Sequence, residues 1–257
     1  MDTTIGADVE EFVVQGGAVV SVQGMLGGSK EHPLWVEGGN LQEDNVLAEY
    51  ATVVCSTLED FKESLSSVRK SMQSKLWAQG ATLLPTATHT FPVAYLQRCG
   101  TQAVTMGCSE EYRAGDGLLI PPPSPFQGLR TAGGHVHVGY DHPSEQVSVD
   151  IVKAMDYMLG LWSLLHDPDT ERRVMYGKAG SHRIKAYGVE YRALSNFWSR
   201  DTQMIEQVYH RAMWCVNNHH QAHLLNEIMP YSAVTRAIDS YDTQLAIELE
   251  TGLGALL

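Results

Sequence analysis

Two histidines separated by one residue stand out in the segment GGHVHVGYDH, residues 133–142. Because histidine and valine alternate there, the segment is predicted to form a β-strand, on which successive side chains point to opposite faces. His135 and His137 then share one face, and the valines can pack into a core on the other. Two hydrogen-bonded histidines on a half-exposed strand explain this spacing as well as a metal site does.

Two further polar pairs have the same two-residue spacing. Asp8 and Glu10, in GADVEEF, would share a strand face about 7 Å apart, whereas Glu11 would point the other way. Glu190 and Arg192, in VEYR, form the third pair. Taken alone, the acidic pair fits a solvated edge strand, and the last pair fits a surface ion pair worth under about 1 kcal/mol.

The three pairs together favour a shared site, because each has a hydrophobic alternate face and a glycine nearby. If the strands are neighbours, one sheet face carries Asp8, Glu10, His135, Glu190 and Arg192. Adjacent carboxylates repel each other unless a cation or a proton lies between them. Carboxylates with one histidine suit Mg²⁺ or Mn²⁺ better than zinc, and no cysteine pair has zinc-site spacing.

The loop YGKAGSHR precedes the Glu190 strand and adds two cations, Lys178 and Arg183. Its glycines allow close backbone approach, and its cations suit phosphate, although the loop lacks the P-loop pattern. A solvated basic loop is the alternative. Metal-binding carboxylates beside phosphate-binding cations suggest phosphoryl transfer from a nucleotide.

The elements that must position these residues include strands and two clear helices. Residues 4–22 are predicted to form a hairpin turned at Gly16 and Gly17, and residues 46–54 a further strand. ATLLPTATHTF and AVTMGCSEEY are also predicted to be strands, and PPPSPF a stiff loop outside any sheet. YGVEYRALSNFW is predicted to be a strand and a turn.

The clearest helix follows Ser56, the expected N-cap, with Glu59 completing a capping box. An apolar stripe at three- and four-residue steps runs along it to Gly80: Leu58, Phe61, Leu65, Val68, Met72 and Leu76. A second helix is expected at about 144–165, then a long loop, DPDTERRVMYGKAGSHR. From about Arg200 the chain is predicted to be helical, with a break near Pro230. The pattern favours one α+β domain over residues 1–257 with a mostly antiparallel sheet.

Composition narrows the classes of partner. The 257 residues are 44% hydrophobic, enough for a large core, and the net charge of −12 argues against nucleic acid. No apolar run reaches the roughly 18 residues of a membrane span, and we expect no signal peptide. The four cysteines are scattered, which favours a reducing cytoplasm over a disulfide framework.

Four segments occur in order between about Ile5 and Trp198: GADVEEF, LQEDNVLAEY, RTAGGHVHVGY and YGKAGSHRIKAYGVEYRALSNFW. The ordered set resembles the phage-type COOH–NH2 ligases, an amidoligase group of the glutamine synthetase and γ-glutamylcysteine synthetase superfamily. This resemblance implies an antiparallel sheet whose concave face holds metal ions and ATP, with helices packed on the other side. It also implies a reaction that joins a carboxylate to an amine.

The resemblance assigns roles to individual residues. The implied ligands of Mg²⁺, or of Mn²⁺ in its place, are Asp8, Glu10, His135 and Glu190. Glu49 is implied as a further acidic ligand or a substrate contact, and Asp44 is another candidate. His137 would lie nearer the ATP phosphates, and Arg192 would steady the transferring phosphoryl group beside Glu190. Lys178 and Arg183 are the further nucleotide contacts.

Three features depart from the family pattern. Asp8 stands where the superfamily often has glutamate, and Glu11 is a charge where an apolar residue is expected. The segment GCSEEYRAG, residues 107–115, is also unusually acidic. These departures bear more on the identity of the substrates than on the reaction.

The implied activity is an ADP-forming ligation of small-molecule, peptide or protein carboxylates and amines through an acyl phosphate. Its expected location is the cytoplasm, or the host cytoplasm for a phage gene. A metal-dependent hydrolase is one alternative, but it leaves Lys178, Arg183 and Arg192 without a task. A non-catalytic binding or virion protein is another, although buried unpaired charge is costly without a ligand.

Overall fold

The computed structural model describes residues 3–104, 111–120 and 128–254. The predicted loop PPPSPF lies outside these residues, as does most of the strand predicted in AVTMGCSEEY. Where that segment is described, Ala103 and Val104 are helical and Tyr112 begins a short strand. The strand prediction is therefore wrong at its start.

The described strands are β1 Thr4–Gln15, β2 Ala18–Val20, β3 Leu34–Val36, β4 Gly39–Asp44, β5 Leu47–Thr52, β6 Ala81–Leu84, β7 Thr88–Thr90, β8 Tyr112–Arg113, β9 Leu129–Thr131, β10 Gly134–Gly139, β11 Ser181–Lys185 and β12 Gly188–Tyr191. The described α-helices are α1 Leu58–Trp77, α2 Val93–Cys99, α3 Thr101–Val104, α4 Glu145–Met155, α5 Leu161–His166, α6 Arg172–Met175, α7 Thr202–Asn218, α8 Ala222–Ile228, α9 Tyr231–Ser240 and α10 Thr243–Gly254. A π-helical turn, Asp156–Gly160, joins α4 to α5.

β1 lies at the centre of a large antiparallel sheet. Its first half pairs with β5 on one side and β10 on the other, and its second half pairs with β2 and β6. The main path runs β3-β4-β5-β1-β10-β12-β11-β8, while β7 and β9 form a separate ladder. The predicted α+β class with a mostly antiparallel sheet is confirmed.

The register aligns the polar pairs on one face. Asp8 lies opposite His135, and Glu10 lies opposite Glu49 of β5. His137 lies opposite Glu190 on the far side of β10. Because residues that oppose each other in an antiparallel pair share a face, these side chains gather on what we call the polar face of the sheet.

The opposite face is apolar and carries helices. Ile5, Ala7 and Val9 alternate with the acids of β1 and are buried in the main core. α1 packs against β4, β5 and β6, and α4 packs against β11 and β12. One polar and one helix-covered face is the arrangement that alternation along these strands dictates.

Helix α1 forms for the reasons that its sequence suggests, with one change at its start. The predicted apolar stripe is buried from Phe61 to Leu76, and Leu58 is half-buried. The N-cap is Thr57 rather than Ser56, because the Thr57 hydroxyl accepts the Asp60 N–H at 3.1 Å. The side chain that lies three residues before an unpaired N–H in the first turn makes the cap.

Most of the other predicted elements are present. The first hairpin turns at Gly16 and Gly17, which both have positive φ. The helix predicted at 144–165 is present as α4, the π-turn and α5, and Ser144 is its N-cap. The C-terminal helices break at Pro230. Strands β3 and β4 are additional: they continue the sheet beyond the predicted strand at 46–54.

The predicted loop DPDTERRVMYGKAGSHR is corrected in two places. Residues 172–175 form the short helix α6, and Arg183 lies within β11 rather than in a loop. Arg183 opposes Glu190, so its side chain points to the polar face. In the part of the chain that the structure describes, no helix is both long and apolar enough to cross a membrane.

Asp156, in the π-turn, is a buried acid that holds the helices to the back of the sheet. Its two carboxylate oxygens accept hydrogen bonds from Tyr191 of β12, at 2.8 Å, and from Tyr231 of α9, at 2.5 Å. Burial raises the pKa of Asp156 from 3.8 to about 6. The native state therefore binds a proton here more tightly than the unfolded chain does.

This shift predicts how stability depends on pH. The contribution of Asp156 is fully present below pH 3.8 and is lost as the pH rises through about 6. Raising the pH from 5 to 8 should therefore lower the free energy of unfolding of the wild type by on the order of 1 kcal/mol. Asp156→Asn stays neutral and should not show this loss. Thermal melts of both proteins at the two pH values give this difference. An identical difference in Tm at both would contradict it.

Candidate active site on the polar face of the sheet

The polar face gathers acids and histidines into two groups. Ligand atoms of Asp8, His137 and Glu190 lie within 4.8 Å of one another, and so do those of Glu10, Asp44 and Glu49. We call the first group the histidine triad and the second the carboxylate triad. Each takes one acid from β1, since Asp8 and Glu10 alternate along it.

The histidine triad contains ligand atoms without hydrogen-bond partners. His137 Nε2 lies 2.9 Å from Asp8 Oδ2, but the two lack hydrogen-bond geometry. Glu190 Oε2 is also buried without a hydrogen bond, although Lys185 Nζ is 2.8 Å away. Since buried polar atoms are normally satisfied, two triad atoms that lack well-formed hydrogen bonds fit a divalent cation with mixed nitrogen and oxygen ligands.

The carboxylate triad is strained by like charge. Burial and the nearby Asp44 raise the pKa of Glu10 to about 7, even though Gly133 N–H donates to its Oε2 at 2.6 Å. Burial, and then the charges of Asp8, Glu10 and Asp44, raise the pKa of Glu49 well above its usual range. Three acids that oppose one another's ionisation fit a hard cation that would neutralise them.

The two histidines lie in different surroundings. His137 belongs to the histidine triad, whereas His135 is buried beside Arg192, whose Nη1 donates to His135 Nδ1 at 3.2 Å. Burial, and then the Arg192 charge, hold the pKa of His135 well below its usual range. His137 thus shares a three-ligand group with two carboxylates, whereas His135 Nδ1 lies 3.7 Å from Glu190 Oε1 beside Arg192.

Gly133 and Gly134 are needed at the start of β10 because the space beside them is occupied. A β-carbon on Gly133 would lie 2.4 Å from His135 Nε2, and one on Gly134 would lie 2.5 Å from the carbonyl oxygen of Ser195. Gly133 therefore leaves room for the His135 ring, and Gly134 leaves room for the Ser195 carbonyl.

Arg192 is buried in a network of charges. Its Nη1 donates to Glu190 Oε1, and its Nε donates to Glu111 Oε2 at 3.3 Å. Burial opposes ionisation of Glu190, but the charge of Arg192, with Lys185, holds its pKa well below its usual range. The exposed ion pair that the sequence allowed is therefore excluded, since Arg192 and Glu190 are 6% and 1% exposed.

The other predicted cations occupy different places. Arg183 Nη1 lies 3.4 Å from Glu190 Oε1, at the edge of the histidine triad. Lys178 Nζ instead donates to the carbonyl of Asp239, in α9, at 3.0 Å. The structure thus brings Arg183 to the polar face, whereas the phosphate contact of Lys178 stays a prediction.

A pocket opens beside the carboxylate triad, lined by Glu10 and Asp44 and by three arginines. Arg130 donates to the carbonyls of Leu129 and Ala103, and Arg172 to those of Ala193 and Arg192. Both guanidinium groups are buried, and neither Nε has a hydrogen-bond partner. Buried cations held by neutral carbonyls suit an anionic ligand.

Several of these residues were not predicted from sequence: Glu111, Arg130, Arg172 and Lys185. Lys185 could have been found, because it alternates with Arg183 on β11. Glu111 lies in the segment whose acidity departs from the family pattern, and its ion pair with Arg192 accounts for that charge. The other arginines carry no spacing signal, since they come from β9 and α6.

The fold and the site define an α+β protein with a charged site on one face of an antiparallel sheet. The profile of the family described as phage phiEco32-like COOH.NH2 ligase-type 2 matches residues 118–248, just over half of the chain. The chain belongs to this family. The resemblance seen in the sequence is thereby confirmed, and with it the general class of carboxylate–amine ligases.

Solved structures offer only distant likenesses. A chain described as "Apo GmaS without ligand" is 10% identical, with a TM-score of 0.40, and the match covers 100% of this chain and 69% of that chain. One described as "GmaS/ADP complex-Conformation 1" is 11% identical, with a TM-score of 0.38 and coverage of 99% and 70%. At this distance the likeness does not extend to function. No relative was found among curated proteins.

The raised pKa of Glu10 predicts proton release when a cation binds. At pH 6.5 an acid with a pKa of about 7 is mostly protonated, and a divalent cation must displace that proton. We expect Mn²⁺ to bind more tightly as the pH rises from 6 to 8. Calorimetry at pH 6.5 in buffers of different ionisation enthalpy should show about one proton released or more, and fewer for Glu10→Gln. Heats independent of buffer would contradict this.

Proposed function

We propose that the protein is an ATP-dependent ligase that joins a carboxylate to an amine and forms ADP. One observation supports this proposal. In a chain of the ligase family, the histidine triad and the carboxylate triad lie beside a pocket lined by buried arginines. The acids supply ligands for cations, and the arginines supply donors for anions. An ATP-dependent ligation requires both in one place.

The triads are the proposed cation sites. Asp8, His137 and Glu190 would hold one Mg²⁺, and the three acids of the carboxylate triad would hold another. Bound there, the cations would neutralise charge on the ATP phosphates. The geometry favours His137 as the ligand, while His135, kept neutral and accepting from Arg192, orients that guanidinium.

The arginines are the proposed anion sites. Arg192 and Arg183 lie against the histidine triad, where phosphate charge would develop, and Arg130 and Arg172 line the pocket beside it. A carboxylate substrate held there would attack the γ-phosphorus of ATP, and the bond to the ADP oxygen would break. The amine would then attack the acyl carbon, release phosphate and lose a proton, which yields the amide.

A metal-dependent hydrolase is less consistent with the site. It needs a cation and a water molecule, but it gives no role to the buried guanidinium groups of Arg130 and Arg172. A non-catalytic protein would bear the cost of these cations and of the crowded acids without a ligand to offset it.

The acyl phosphate provides the direct test of the proposed reaction. With ATP, Mg²⁺ and a panel of carboxylates, hydroxylamine should intercept the activated carboxylate as a hydroxamate, with one ADP released per hydroxamate. Glu190→Gln, which removes a charge from the histidine triad, should abolish both signals. Release of AMP and pyrophosphate would show adenylation instead, and hydrolysis without ATP would favour the hydrolase.

Arg192→Lys tests the arginine most closely tied to the site. Lysine keeps the charge but loses the planar, forked donors that reach Glu190 and Glu111 and that would hold two phosphate oxygens. We expect a folded protein that still binds Mg²⁺–ATP and loses on the order of a thousandfold in turnover. Thermal melts, nucleotide titration and steady-state rates provide the measurements.

Arg236→Lys is the matched control, because Arg236 is exposed on α9, which packs against α5, α10 and the π-turn. It should retain wild-type turnover. If Arg192→Lys also retained it, the proposed role of Arg192 in phosphoryl transfer would be wrong.

A further inference from the structure

The turn between β11 and β12 sends two side chains to the histidine triad. Lys185 ends β11, and Tyr187 lies just before Gly188, the first residue of β12. Gly188 fits there because its φ is +150° and a β-carbon would lie 2.2 Å from the Val138 carbonyl oxygen. The tight approach of the turn to β10 places both side chains beside the triad.

Tyr187 contacts one ring nitrogen of His137. The Tyr187 hydroxyl lies 2.5 Å from His137 Nδ1, on the side of the ring away from Asp8. If the hydroxyl accepts from Nδ1–H, the Nε2 lone pair faces the triad and is free to bind a cation. A histidine that binds a metal through one nitrogen almost always donates from the other.

Lys185 places a positive charge beside the histidine triad, which opposes the binding of a cation. Its ammonium lies 2.8 Å from Glu190 Oε2, the same oxygen that lacks a hydrogen bond of good geometry. With a third of its side chain exposed, Lys185 is free to turn toward solvent. A divalent cation bound by Glu190 would compete with this ammonium for the oxygen and be repelled by its charge.

We propose that this turn sets the cation affinity of the histidine triad through two positioning residues with opposite effects. Tyr187 strengthens cation binding by fixing the His137 tautomer, and Lys185 weakens it by holding Glu190 in the absence of the cation. The inference rests on the cation site of the proposed function. It adds that Lys185 must leave Glu190 when the cation arrives.

The experiment measures Mn²⁺ binding by calorimetry without nucleotide. All proteins carry Glu49→Gln, which disables the carboxylate triad so that the histidine triad is titrated alone. Tyr187→Phe keeps the ring but removes the acceptor, and should weaken binding about tenfold or more. Lys185→Met removes the competing charge and should strengthen binding about three- to fivefold.

Matched variants and a second measurement accompany these two. Lys185→Arg restores the charge and should return the affinity to that of the parent. In the otherwise unaltered protein, nitrogen chemical shifts of His137 should show the Nδ1–H tautomer when Mg²⁺ is added. This measurement on the natural sequence does not depend on how the Tyr187 variant folds.

The outcomes separate this inference from the function it rests on. Opposite shifts in affinity support it, because a general loosening of the turn would weaken binding in both variants. Shifts in the same direction, no shift, or an Nε2–H tautomer with Mg²⁺ would overturn it and leave the cation site standing. Absence of Mn²⁺ binding in the parent and in the unaltered protein would overturn the cation site as well.

Discussion

Repulsion among the carboxylates on one sheet face is the constraint that determines how the rest of the site is arranged. The two triads differ in how that repulsion is met. Glu190 is paired with Arg183, Lys185 and Arg192, and its pKa falls. Among the ion pairs of the described residues none involves the carboxylate triad, and the pKa values of Glu10 and Glu49 rise. One triad is thus neutralised by the protein itself and the other is not.

β1 also carries an acid, Glu11, whose charge is paired with two arginines on the other face of the sheet. Glu11 is buried among the helices, where Arg69 of α1 donates to one oxygen at 3.0 Å and Arg200 donates to the other at 2.8 Å. The departure from an apolar residue at this position is therefore explained by two partners that are distant in sequence. Glu10 and Glu11 are adjacent in the chain, but alternation places them on opposite faces of the sheet. Glu11 therefore meets two arginines, whereas Glu10 lies among other acids.

The sequence could predict which residues share a face, but not which of them touch. Period-two spacing places Asp8, Glu10, His135 and Glu190 correctly, since alternation is a local property of each strand. The grouping depends on the register between strands, which sets His137 opposite Glu190. Glu111, Arg130 and Arg172 come from segments without a periodic signal. Lys178 lies near a motif in the sequence, but its ammonium group donates to a carbonyl of helix α9.

β1 connects these features mechanically. Each triad takes one acid from β1, so the separation between the triads is fixed by two residues of backbone and not by side-chain packing. Between the two acids Val9 is buried in the core, and next to them Glu11 is tied by Arg69 to α1 and by Arg200 to the segment before α7. A shift of β1 that altered one triad would have to break that buried ion pair and would move the other triad with it. The buried Glu11 therefore stabilises the polar face from the opposite side of the sheet.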